Sequence, residues 1–154
     1  MGALLDLVFA PRCAGCDLPG TLLCPRCQDA VRRIDQSHAC PRCGAPLVAG
    51  TCAECGERAF AFCAARCAAL LEPPVSRAVV VLKDAGERRY AAVLAGLLAS
   101  AAADWLRADD VLVPVPASPQ ALRRRGFDHA ADIAQELGRS TGLPVVRALR
   151  TTRT

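Results

Sequence analysis

The sequence predicts two parts of unlike build: a small cysteine-rich domain held together by metal, then an α/β domain organised as part of a parallel sheet. Three observations predict it. All ten cysteines fall within the first 67 residues. Before Phe60 the chain is dominated by Cys, Pro, Gly and Arg, with few large aliphatics beyond Leu4–Val8. From Val79 onward, aliphatic runs alternate with charged turns.

A chain of 154 residues suffices for one ordinary domain or two small ones. The first part carries too little apolar mass for a core of its own and needs another staple. The composition changes near residues 56–62, which divides the chain into 1–58 and 59–154. No basic leader precedes the short apolar stretch Leu4–Ala10, and no apolar run approaches the ~20 residues that span a bilayer. A cytoplasmic chain is expected, and in that compartment thiols stay reduced, which turns the cysteines from disulfides towards metal.

Eight cysteines form four Cys-x-x-Cys pairs: Cys13/Cys16, Cys24/Cys27, Cys40/Cys43 and Cys52/Cys55. A two-residue gap lets both thiolates of a tight turn face one ion while the turn's N–H groups stabilise their charge. Two such knuckles complete a closed tetrahedral site, the structural form of zinc binding. CPRC at 24–27, CPRC-G at 40–44 and CAEC-G at 52–56 repeat one local pattern, with Gly44 and Gly56 where a knuckle tolerates positive φ. Two closed four-cysteine sites follow, holding two structural Zn²⁺ ions. Local pairing, first with second and third with fourth, closes loops of seven and eight residues against twelve between the halves. A cross-braced pairing, first with third and second with fourth, stays open, as does an iron–sulfur or redox use of single pairs. Cys63 and Cys67 lack the spacing and read as buried packing. His38 precedes Cys40, but eight thiolates already fill two sites. Each filled site carries a net −2, so the formal charge of +4 is cancelled and gives no argument for nucleic acid.

In the second part, Arg77–Lys83 (RAVVVLK) reads as a β-branched strand and Asp84-Ala85-Gly86 as a turn. Positions 90, 93, 94, 97, 98, 101, 102 and 105 follow one helix face over Arg88–Trp105. Asp110–Val115 reads as a second strand. Asp128 is placed to cap a helix that runs to about Thr141, with Gly142 at its end and Pro144 beyond it. Val145-Val146 begins a further strand. The order β-α-β-α-(β) implies a parallel sheet with right-handed crossovers.

Ligands in such sheets sit beyond the C-terminal strand ends. There the sequence places Arg123, Arg124, Arg125 and Gly126 in a loop over 117–126. Guanidinium forks suit phosphate oxygens, and a helix start after Gly126 would add N–H donors. A solvated basic loop is the plainer alternative.

The four Cys-x-x-Cys pairs, the L-K at residues 82–83, and VPVP followed by LRRRGFDHA resemble the competence protein F (ComF) family over essentially the whole chain. The family joins a double zinc ribbon to a type I phosphoribosyltransferase-like domain. The resemblance implies that Arg123, Arg125 and Gly126 meet the pyrophosphate of phosphoribosyl pyrophosphate (PRPP), that Lys83 assists, and that Arg124 faces outward. It also implies a role in DNA uptake, with a helicase-like partner and single-stranded DNA nearby. Asp128-His129 stands where the family has Asn-Gln; Asp keeps the cap but adds negative charge, and His129 reads as a surface residue. The family's ribose signature, two acids then a Thr/Gly-rich loop that works with Mg²⁺, is missing. Asp109-Asp110 precedes its strand and cannot serve. The expectation is therefore a fragment without phosphoribosyl transfer of its own, and no catalytic residue is assigned. A second class of function stays open, in which the ribbons bind protein or single-stranded DNA and the α/β part is a scaffold.

Overall fold

The structure is a computed structural model that describes residues 10–56 and 58–152. The Leu4–Val8 stretch lies outside the described residues.

The ribbons are built from turns and isolated antiparallel bridges, Arg12 with Pro19, Ala39 with Pro46 and Val48 with Thr51. Helix α1, Pro25–Asp29, grows from the second knuckle with Pro25 at its start, where the missing N–H has no helical partner to lose. The chain then enters the second ribbon and returns at residues 68–70, where Arg33 bridges Ala69. Ile34 N–H donates to Ala68 and Leu70 N–H to Arg32.

Helices follow: α2 Val75–Asp84, α3 Tyr90–Ala101, α4 Pro119–Arg125 and α5 His129–Thr141. The expected strand at Arg77–Lys83 is thus the body of α2. Three adjacent valines suggested a strand, but Ala78 and Leu82, four apart, are 1% and 0% exposed, and a helix puts both on one inward face. Burial of that face outweighs the weak preference of valine against helix. The helix expected over 88–105 is shorter at both ends. The loop expected over 117–126 is largely α4: Ser118 accepts from Ala121 N–H, Pro119 starts the helix, and Gly126 closes it at φ 78°.

Helix α5 has its expected ends. The Asp128 carboxylate accepts from Ala130 and Ala131, and Gly142 at φ 77° turns the chain out. The other Asp128 oxygen accepts from Ala117 N–H at 3.2 Å. One side chain therefore holds the entry to α4 against the start of α5.

No sheet forms among the described residues. The strands expected at 110–115 and from 145 meet in a single parallel bridge, Leu112 with Val145, through Leu112 N–H to Pro144 and Val146 N–H to Leu112, each 2.9 Å. Pro114 has no N–H for the next rung, so the ladder stops there. The partial parallel sheet is corrected to one bridge over helices.

The core is shared by the two parts. Ala14, inside the first knuckle, is buried with Ala78, Leu82, Tyr90, Ala91 and Leu94, and Leu22 and Leu23 pack at its edge. Tyr90 donates its hydroxyl to the Arg12 carbonyl, and Arg77 donates to the Gly15 carbonyl at 2.7 Å. Arg88 grips Asp132 with two 2.6 Å bonds and ties the start of α3 to α5. Among the described residues no helix is long and apolar enough to cross a membrane.

Leu82→Ala should cost about 2–5 kcal/mol, the usual loss for a buried leucine. Asp128→Ala should cost about 1–2 kcal/mol through the lost cap. Chemical denaturation followed by far-ultraviolet circular dichroism checks both; equal midpoints for Asp128→Ala and wild type would show that the cap contributes nothing.

Candidate metal centres and a cationic cleft

The eight knuckle cysteines gather into two clusters, Cys13/Cys16/Cys24/Cys27 and Cys40/Cys43/Cys52/Cys55, with all four sulfurs of each within 4.8 Å of one another. Pairing is local; the cross-braced arrangement does not occur. Sulfur separations of 3.8 Å (Cys16–Cys24), 3.7 Å (Cys40–Cys55) and 3.5 Å (Cys43–Cys52) match the edge of a tetrahedron with ~2.3 Å Zn–S bonds, about 3.8 Å. The donor set and its spacing fit zinc. Zinc there would lock the knuckles and supply no reaction chemistry, since four protein ligands leave no open position.

The thiols' acidities say why a cation belongs there. Burial pushes Cys13 up, but N–H groups of Cys24, Cys16 and Gly15 outweigh it and bring the thiol to about 6. N–H groups of Cys55 and Glu54 hold Cys52 at about 6. Burial, then hydrogen bonds to its neighbouring thiols, push Cys27 up to about 12, and a bond to Cys52 followed by burial does the same to Cys55. Four thiols this close cannot all ionise unless a divalent cation balances them.

Each ribbon is fitted closely to what lies behind it. A Cβ on Gly15 would stand 2.3 Å from Cys27 Sγ and 3.2 Å from Pro74. Gly44 adopts the expected positive φ, 77°, and a Cβ there would meet the Cys67 backbone N at 2.7 Å. Gly56 also has positive φ, 45°. Cys63 is exposed and Cys67 half-buried, so the buried role expected of them is not found. His38 is no ligand: its Nδ1 lies 3.0 Å from the Asp35 carboxylate, on the surface.

The cationic residues meet at the far ends of α2 and α4. Lys83, Asp84, Arg124, Arg125 and Phe127 line a cleft of about 440 Å³. Lys83 and Arg125 both line it. Lys83 reaches it from the last turn of a helix and not from a strand end. Arg124 also lines it while remaining exposed. Arg123 is exposed and Gly126 is the helix terminus; neither lines the cleft. Arg125 is 14% exposed, with Nη2 3.7 Å from Asp84 and Nε buried without a partner. The N–H donors expected at the start of α5 are occupied, since Ala130 and Ala131 bond Asp128. Any anion here is therefore held by side chains. His129 is not a surface residue: its Nδ1 is buried without a partner. Burial, then the charges of Lys83 and Arg125, lower its pKa. Asp110 is used locally, accepting from Arg107 N–H at 2.9 Å.

Asp84 and Phe127 were missed as cleft residues. The signal for Asp84 was its place beside Lys83; nothing local marked Phe127, which Gly126 turns inward after α4.

Removing zinc with a chelator should release two ions per chain and lower the helical signal as well. Cys13→Ser should lose one zinc together with much of that signal, because the first knuckle lies in the shared core. Cys52→Ser should lose one zinc and spare α2 and α3. Metal analysis with circular dichroism distinguishes the two, and equal losses would show that the first knuckle has no special place.

Residues 4–57 match the family described as the double zinc ribbon domain. Comparison with curated proteins and with solved structures found no match. Four knuckles, two local four-sulfur clusters and this match converge: the N-terminal part of the chain is a double zinc ribbon domain with two four-cysteine sites suited to structural zinc.

Proposed function

We propose that the chain is a zinc-stapled anion-binding protein whose cleft takes the phosphate or pyrophosphate group of a phosphorylated sugar, PRPP being the candidate. The observation that carries this reading is the convergence of Lys83, Arg124 and Arg125 on one cleft, with Arg125 Nε buried and unpartnered. A guanidinium held at 14% exposure has lost much of its hydration, and a phosphate oxygen restores what it lacks. Arg123, exposed on the same helix turn, extends the positive field, and Gly126 sets the turn that brings Phe127 over the cleft. Asp84 opposes the anion with one exposed carboxylate, against three cations.

The segments 1–58 and 59–154 are proposed to divide the labour, with metal in the first part and the cleft in the second. Binding is proposed and not turnover, because the acidic ribose signature does not occur in these 154 residues. Mg²⁺ would accompany PRPP only in a chain that also carries that signature. The similarity to the competence protein F family supports a cytoplasmic role beside DNA uptake, with a helicase-like partner.

A second reading has its own support. Phe60 and Phe62 stack at 4.7 Å beside the second ribbon, with Arg42 5.7 Å over Phe60 and Phe62 half exposed. Such a platform suits a base of single-stranded DNA or an aromatic side chain of a protein.

Calorimetric titration of the zinc-loaded protein with pyrophosphate and with PRPP tests the first reading. Arg125→Ala should weaken binding about tenfold or more, the loss of one charge-assisted bond. A bound anion should also raise the His129 imidazole pKa, followed by proton resonance, because it offsets the Lys83 and Arg125 charges that lower it. No pyrophosphate binding by the wild type would end this reading. Salt-dependent binding of an oligothymidylate, lost on chelation and in Phe62→Ala, would establish the second.

A further inference from the structure

The segment 111–115 has one paired edge and one free edge, and the prolines distinguish them. Leu112 turns both its N–H and its carbonyl to residues 144–146. In an extended chain these groups alternate sides, so Leu112, Pro114 and Pro116 share the paired side, and Val111, Val113 and Val115 share the other. Val113 and Val115 precede prolines, which holds both extended. The missing proline N–H groups thus fall on the side where pairing stops after one rung. The outer edge keeps a complete set of donors, and among the described residues none of the N–H groups of Val111, Val113 and Val115 has a backbone partner.

Natural sheet edges are commonly protected by charge or by proline on the exposed side. Here no charged residue occurs from Val111 to Leu122, and the prolines are on the wrong side to protect. Val111, Val113 and Val115 are 49%, 39% and 71% exposed. Behind Val113 and Val115 runs a mostly apolar groove of about 460 Å³, floored by Leu82, Leu94, Leu98, Ile133 and Leu137, with Lys83 and His129 also in its lining. The free edge and the groove beneath it call for an extended, uncharged, β-branched strand.

We propose that this edge pairs antiparallel with the same segment of a second copy of the chain. The segment offers what its own edge requires: alternate free donors, small branched side chains and no charge. Antiparallel pairing about a two-fold axis at Val113 sets Val113 against Val113 and Val111 against Val115, all on the side with intact N–H groups. Asp110 then faces Pro116 of the second copy. Parallel pairing would instead stack Asp109-Asp110 on the same pair, which like-charge repulsion opposes. One isologous contact covers both grooves at once.

Sedimentation equilibrium of the full, zinc-loaded chain across the micromolar range tests this. The wild type should show a reversible monomer–dimer equilibrium. Val113→Pro, which removes the donor at the axis, should abolish it. Val115→Lys should weaken it about tenfold, since two cross-strand valine pairs are lost. Zinc content and circular dichroism establish that each variant is folded. If Val113→Pro fails to fold, Val115→Lys decides alone, because its side chain is mostly exposed. A wild type that stays monomeric, a folded Val113→Pro that still dimerises, or a folded Val115→Lys that dimerises with unchanged affinity would overturn the proposal.

Discussion

Everything in this chain depends on one contact: the first cysteine knuckle is inserted into the hydrophobic core. Ala14, between Cys13 and Cys16, is buried against Ala78, Leu82, Tyr90 and Leu94. A short helical array of this size buries little by itself, and a ribbon of turns buries less. Joined, each supplies what the other lacks. The metal fixes the knuckle, and the knuckle gives α2 and α3 a wall to pack on. Zinc binding of about 10–16 kcal/mol in small peptides then becomes folding energy for the helices as well as for the ribbon. Gly15 marks how tight the junction is, since Cys27 and Pro74 occupy the space a side chain would need.

The arrangement of charge follows from the helices that this core positions. Lys83 and Arg123–Arg125 all sit in the last turns of α2 and α4, where the carbonyl ends of a helix favour cations. The same placement has a structural and an electrostatic consequence. It steadies two short helices, and it focuses positive charge on one cleft with a single carboxylate, Asp84, to hold Arg125 in place. Asp128 contributes from the other side by joining Ala117 to the start of α5. The Asp128 carboxylate is thus engaged as a helix cap.

Where sequence reasoning and structure part, the divergence has a local cause. The metal ligands were legible because a knuckle is a short-range device: two residues between thiols set the geometry whatever surrounds it. The caps of α5 were legible for the same reason, in Asp128 and Gly142. RAVVVLK was not, because β-branched composition is a weak preference and the burial of Ala78 and Leu82 decides against it. The expected sheet shrank to the Leu112–Val145 bridge because Pro114 cannot extend the ladder, a constraint visible in the sequence but masked by the apparent β-α-β order. Cys63 and Cys67 looked like buried packing from apolar neighbours, yet Cys63 is exposed and Cys67 only half-buried.

The sequence by itself determined which eight sulfurs form metal-sized clusters, where α5 begins and ends, and that the cations gather before Gly126. These are short-range matters of spacing, capping and charge. Only the tertiary structure decided that clusters form from neighbouring pairs, that the first ribbon shares its core with the helices, and that Lys83 meets Arg124 and Arg125 across a cleft. Those outcomes rest on burial shared by segments far apart in the chain, Arg12 with Tyr90 and Gly15 with Arg77 among them. Local sequence carries no record of such partners, because the free energy that selects them exists only once both surfaces leave water together.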